Sequence, residues 1–146
     1  MGAFSKTEAA YEKFGAEEPF YAVLTEEKYK RKQIDQEFFF RTGEDLLARQ
    51  MQLIEDRGVH LARENALDFG CGVGRLTNAM ALHFENVIGV DISSTMIEQA
   101  NQLKRHDNCS FQVNKRADLS VFDDGQFDFI YSDITIQHIP QPESEN

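Results

Sequence analysis

The sequence predicts an α/β fold: a mostly parallel sheet flanked by helices and preceded by a helical N-terminal segment. Three observations carry that expectation. Apolar residues recur at helical spacing up to about residue 63, short runs of β-forming residues alternate with helix-compatible segments after it, and three glycines at alternate positions follow the first such run.

In the N-terminal part, Ser5 with Glu8 reads as a helix start for TEAAYEKF. Leu46, Leu47, Met51 and Ile54 then line one side of a proline-free segment. Thr42 is placed to cap this helix, with Asp45 where a capping-box acid would stand, and Gly58 to end it. The cluster Phe38 to Phe40 sits just before the expected cap. Two or three helices are expected here.

From Asn65 onward the runs ALDF (66–69), VIGV (87–90), SFQV (110–113) and FDFIYS (127–132) read as strands. RLTNAMALHF joins the first two, and SSTMIEQANQLKRH, with Thr95 and Glu98 as a capping box, joins the second and third. Strand and helix in alternation imply parallel pairing through right-handed crossovers.

Composition bounds the function. The 146 residues suffice for one domain, and 41% hydrophobic content with twelve phenylalanines argues against disorder. No apolar stretch approaches the roughly 20 residues that span a bilayer, and no secretory signal is read at the N-terminus, so no membrane association and a cytoplasmic location are expected. Cys71 and Cys109 are too few for a disulfide framework or a zinc site, and no metal is expected. A net charge of −10 repels phosphate backbones, which weighs against nucleic acid as a partner. The basic runs at Lys28 to Lys32 and at Lys115 and Arg116 read as solvated surface.

The glycines of ALDFGCGVGRL point to a ligand. In a parallel sheet, ligands bind outside the carboxyl ends of the strands, and the first strand-to-helix turn is where a nucleotide-like group comes closest. Gly70, Gly72 and Gly74 remove the Cβ atoms that would obstruct it and permit positive φ. The dinucleotide spacing Gly-x-Gly-x-x-Gly is not met, because Arg75 or Thr77 falls on the third position, and the Gly-Lys-Ser/Thr ending of a phosphate loop is absent. Asp91 ends the second strand 21 residues after Gly70, where an acid accepts both ribose hydroxyls of an adenosine.

With these residues the sequence resembles the class I S-adenosylmethionine-dependent methyltransferases, a Rossmann-like family. LDFGCGVGR (67–75), GVDISSTMIEQA (89–100) and DLSVFDDGQFDFIYSDITIQHIP (118–140) match its motifs in order. The resemblance implies S-adenosyl-L-methionine as cofactor. Asp68 and the backbone of Gly70, Cys71 and Gly72 would line its methionine part, with Gly74 in the same loop. Asp91 would hold the ribose, and Ile92 and Met96 would flank the adenine, though a methionine in an amphipathic helix is equally a core residue. Asp118 would meet the adenine amino group in place of Lys115, and Ser132 and Asp133 would line the pocket. Arg75 either meets the cofactor carboxylate or packs over the sheet. His138 would lie near the methyl group, where its pKa range suits proton transfer, and a histidine at such a connection is equally structural.

The resemblance divides the chain into a helical cap segment, 1–63, and a cofactor-binding Rossmann-like domain, 64–146. The family's sheet has seven strands, whereas four are expected here, so the sheet is incomplete in this chain and FDFIYS is left as an edge through which the chain could self-associate. Methyl transfer to a small-molecule acceptor is the expected function. A protein or nucleic-acid acceptor, a non-catalytic cofactor-binding module, and a nicotinamide-dependent oxidoreductase are the alternatives, the last disfavoured by the glycine spacing.

Overall fold

A computed structural model of the chain describes residues 8–9, 36–116 and 118–133. The elements are α1 (Gln36–Asp56), β1 (Asn65–Phe69), α2 (Arg75–Met80), β2 (Asn86–Asp91), α3 (Ser94–Leu103), β3 (Cys109–Val113) and β4 (Phe129–Tyr131). Among the described residues, the strands form one sheet in the order β3-β2-β1-β4, with every neighbouring pair parallel. All four carboxyl ends therefore lie on one edge of the sheet.

Alternation along the strands gives the sheet one dry, helix-covered face. Ala66, Val87, Cys109 and Phe111 join Ala79 and Met80 of α2 and Ile97 and Ala100 of α3 in one buried cluster, with Phe129 and Tyr131 packed against it. Leu47 and Met51 of α1 belong to the same cluster, so the N-terminal helix shares the core of the sheet. Phe84 and Phe129 stack with centroids 5.2 Å apart, which ties the turn after α2 to β4.

Three local expectations are corrected. The helix α1 does not begin at Thr42: it already includes Gln36, and the Thr42 hydroxyl donates to the Phe39 carbonyl at 2.7 Å as an interior back-bond. Burial is the reason, since Phe39 and Phe40 are 0% and 1% exposed and form a second cluster with Val73 and Met96. A tertiary pocket for two phenyl rings outweighs a local capping signal worth about 1 kcal/mol. Ser93, rather than Thr95, caps α3, its hydroxyl accepting the Met96 N–H at 3.1 Å. The fourth strand is shorter than FDFIYS, because the Asp128 carboxylate accepts the N–H groups of Glu64 and Asn65, at 3.1 and 2.9 Å, and the Phe127 ring meets Phe122 edge-on.

The C-terminal stop of α1 falls where Gly58 predicted it. Gly58, with φ 69°, donates to the Glu55 carbonyl and Val59 to that of Ile54, at 2.9 and 3.2 Å, which closes the last turn in a Schellman arrangement. The start of TEAAYEKF lies outside the described residues, apart from Glu8 and Ala9. Among the described residues no helix is long and apolar enough to cross a membrane.

The α1–α2 crossing depends on Gly43. A Cβ built there would lie 2.7 Å from the Arg75 carbonyl oxygen and 2.9 Å from Arg75 Cγ, so the two backbones meet at that point. Gly43→Ala separates two effects of opposite sign. Helix propensity alone would stabilise by about 1 kcal/mol. The contact with a backbone atom instead predicts a loss of about 1–3 kcal/mol, measured by denaturant unfolding, because α1 has to move away from α2.

Candidate functional site

The site is built on the carboxyl edge of the sheet, where the chain leaves β1 as Gly70-Cys71-Gly72-Val73-Gly74. A glycine-rich loop is held only if its backbone groups find partners, since glycine loses the most conformational freedom on folding. Here the partners are on β2. Gly70 and Cys71 both donate their N–H to the Val90 carbonyl, at 2.8 and 2.9 Å. Gly72 donates to Asp91 Oδ2 at 2.9 Å. The second Asp91 oxygen accepts the Ser93 N–H at 2.9 Å, and the Asp91 carbonyl accepts that of Asn114 at 2.8 Å. One carboxylate thus joins the glycine loop to the start of α3.

The loop glycines do different things. Gly70, Gly72 and Gly74 all have positive φ, at 81°, 53° and 89°. Gly74 faces inward: a Cβ there would lie 2.7 Å from the Phe111 ring, so its bareness serves the packing of the loop on β3. Val73, at the loop's turn, is fully buried against Phe39, Phe40 and Met96. Met96 is therefore a core residue of that cluster, while Ile92, next to Asp91, is half-buried.

Beneath the loop, Asp68 is 1% exposed and accepts the Thr77 hydroxyl at 2.7 Å. Burial raises its pKa to about 7, against the opposing pull of Thr77 and Arg75. Burial, then Asp91 and Asp68, also push the Cys71 thiol well above its ordinary value. A neutral, buried thiol fills space and does not act as a nucleophile.

Arg75 opens α2, and its side chain is 6% exposed. One terminal nitrogen donates to Thr42 Oγ1 at 3.3 Å and the other to Asp133 Oδ2 at 3.0 Å, while the buried Nε has no partner among the described residues. Burial lowers the guanidinium pKa, and Asp133 and Asp68 oppose that shift. Ser132, just past β4, also has a buried side-chain oxygen without a partner among the described residues.

Of the residues singled out in the sequence, Asp68, Gly70, Cys71, Gly72, Gly74, Arg75, Asp91 and Ile92 gather at the ends of β1 and β2, and Ser132 lies just past the end of the neighbouring β4. Asp118 is exposed and makes local contacts, its carboxylate accepting the Ser120 N–H at 3.0 Å. His138 lies outside the described residues. Thr77, which holds Asp68, and Asn114, which holds the Asp91 backbone, were not singled out, because neither stands at a spacing that marks it.

Fold and loop define a nucleoside-cofactor-binding α/β protein. The sequence profile of the methyltransferase-domain family matches residues 67–144, more than half of the chain, and the chain belongs to the class I S-adenosylmethionine-dependent methyltransferases. It is similar to the ubiquinone biosynthesis O-methyltransferase of Pseudomonas syringae pv. tomato, with 30% identity over 112 residues, 75% of this chain and 48% of that protein. The chain thus spans about half the length of the curated relatives it matches.

Two solved structures share the fold. Phosphoethanolamine N-methyltransferase 1 of Haemonchus contortus, in complex with phosphoethanolamine and S-adenosylhomocysteine, has a TM-score of 0.73 at 17% identity over 97% of this chain and 27% of its own. Magnesium protoporphyrin IX methyltransferase of Synechocystis, with S-adenosylmethionine bound, has a TM-score of 0.65 at 21% identity, covering 99% of this chain and 67% of its own.

The residues present fit S-adenosylmethionine, the family's cofactor. Asp91 offers a carboxylate at the carboxyl end of β2, and Arg75 Nε and Ser132 Oγ, buried and without a partner among the described residues, are polar atoms that a ligand with polar groups would satisfy.

The buried Asp68 predicts a pH dependence. Its folded pKa, about 7, lies above the ordinary 3.8, so the folded state binds this proton more tightly. The contribution is fully present below pH 3.8 and is lost as pH rises through about 7. Asp68→Asn keeps an acceptor for Thr77 and cannot ionise. Relative to the parent, the variant gains stability from about pH 4 to pH 7, by on the order of 4 kcal/mol, measured by urea unfolding across that range.

Proposed function

We propose that this chain is the cofactor-binding part of an S-adenosylmethionine-dependent methyltransferase acting on a small-molecule acceptor. The observation that carries the reading is the direction of the loop's N–H groups. In phosphate-binding loops these donors point at the ligand. Here those of Gly70, Cys71 and Gly72 donate to β2, so the loop presents a bare backbone surface and the Asp91 carboxylate. Such a site favours a nucleoside over a dinucleotide or a triphosphate.

In this reading Asp91, which ends β2 beside the glycine loop, accepts the ribose hydroxyls through its carboxylate. Gly70 to Gly72 line the methionine part, and Ile92 borders the adenine. Bound S-adenosylmethionine supplies a methyl group already activated on a sulfonium. The chain's own work is then to orient and to exclude water. Phe39, Phe40 and Val73 exclude water behind the loop, while Asp91 and Ser93 fix the loop against α3. A small-molecule acceptor agrees with the acidic net charge of −10 and with the small molecules in the relatives' own names, which speak of ubiquinone biosynthesis, phosphoethanolamine and magnesium protoporphyrin IX.

Calorimetric titration with S-adenosylhomocysteine tests the reading. The parent chain is expected to bind it, and Asp91→Ala to bind it roughly ten- to a hundredfold more weakly, the equivalent of about 1–3 kcal/mol for unpaired ribose hydroxyls and a released Gly72 N–H. Equal affinities would remove Asp91 from the site. Tight binding of NADH in place of S-adenosylhomocysteine would overturn the methyltransferase reading.

A further inference from the structure

The motif accounts for the loop and for Asp91, but not for a buried arginine bonded to two distant segments. Arg75 reaches back 33 residues to Thr42 in the second turn of α1 and forward 58 residues to Asp133 beyond β4. Its own backbone is the surface on which Gly43 rests. The Thr42 hydroxyl donates to the Phe39 carbonyl and so presents its oxygen as an acceptor. Phe39 in turn packs on Val73 of the glycine loop. A single guanidinium thereby joins the cap helix, which packs on the loop through Phe39, to the segment just past the strand beside β1.

We propose that Arg75 is a positioning residue that, through Thr42 and Asp133, locks the α1 cap and the β4 end into one rigid wall at the methionine end of the cofactor site. The proposal rests on the cofactor reading above and assigns Thr42 and Asp133 to that wall. The chemistry requires arginine. Its planar fork makes two divergent hydrogen bonds at fixed angles, whereas a lysine ammonium is a point charge on a flexible stem. A purely electrostatic partner for Asp133 would not need Thr42. A purely packing residue would not carry a charge into a site where only 6% of its side chain remains exposed.

In this reading the wall stands on the β4 side of β1, at the methionine end, whereas Asp91 ends β2 on the other side of β1, and this separation supplies the test. S-adenosylhomocysteine and adenosine are titrated separately into the 146-residue chain and into Arg75→Lys, Thr42→Val and the double variant, with the melting temperature recorded for each. Each single variant is expected to weaken S-adenosylhomocysteine by roughly three- to tenfold and to leave adenosine within about twofold. The double variant is expected to be no weaker than Arg75→Lys, because both changes break the same link. A merely structural role would weaken both ligands together, in step with the melting temperature, and an unchanged ratio of the two affinities overturns the proposal. If Arg75→Lys does not fold, the ratio in Thr42→Val decides on the same terms. A parent chain that binds neither ligand overturns the cofactor reading, and this proposal with it.

Discussion

The carboxylate of Asp91 is the constraint on which the rest depends. It stands at the last position of β2, accepts the Gly72 N–H from one direction and the Ser93 N–H from the other, and so fixes the exit of β1 and the start of α3 with a single side chain. Hydrogen bonds to a charged acceptor are stronger than neutral ones. That matters for a loop whose three glycines would otherwise leave it with wide conformational freedom. The parallel register of β1 on β2, Phe69 opposite Val90, brings the Val90 carbonyl beneath Gly70 and Cys71 and makes the attachment possible.

From that attachment the packing follows outward. Because the loop lies down on β2, Val73 is driven into the space between α1 and α3, where Phe39, Phe40 and Met96 enclose it. Arg105 closes the same corner. Its guanidinium lies 4.1 Å above the Phe40 ring and bonds Glu37 through both terminal nitrogens, while its N–H reaches the Asn78 side chain at 2.8 Å. The cap helix is thus held at its first turn by Arg105 and at its second by Arg75. The segment that the sequence sets apart as a helical cap is, in the packing of α1, the back wall of the site.

What the sequence made legible was local. Alternating β-formers located the four strands, glycine spacing located the loop, and an acid at a strand end located Asp91, since each of these depends on neighbours within a few residues. What it hid was tertiary. Thr42 carried a cap signal and became an interior helix residue because two phenyl rings upstream found a pocket 33 to 57 residues further along the chain, at Val73 and Met96. The Arg75 bonds join residues 33 and 58 positions away, and no spacing rule announces them. Gly74 reads as part of the ligand cradle, and no spacing shows that it also makes room for the Phe111 ring, a neighbour 37 residues on.

The central claim is that this loop and Asp91 form a nucleoside site and not a phosphate site. It is tested most directly by a crystal structure of the chain grown with S-adenosylhomocysteine. The account predicts ribose hydroxyls on the Asp91 carboxylate, with the Gly70, Cys71 and Gly72 N–H groups still donating to β2. A ligand bound away from Asp91, or a loop that turns those N–H groups toward an anion, would contradict it.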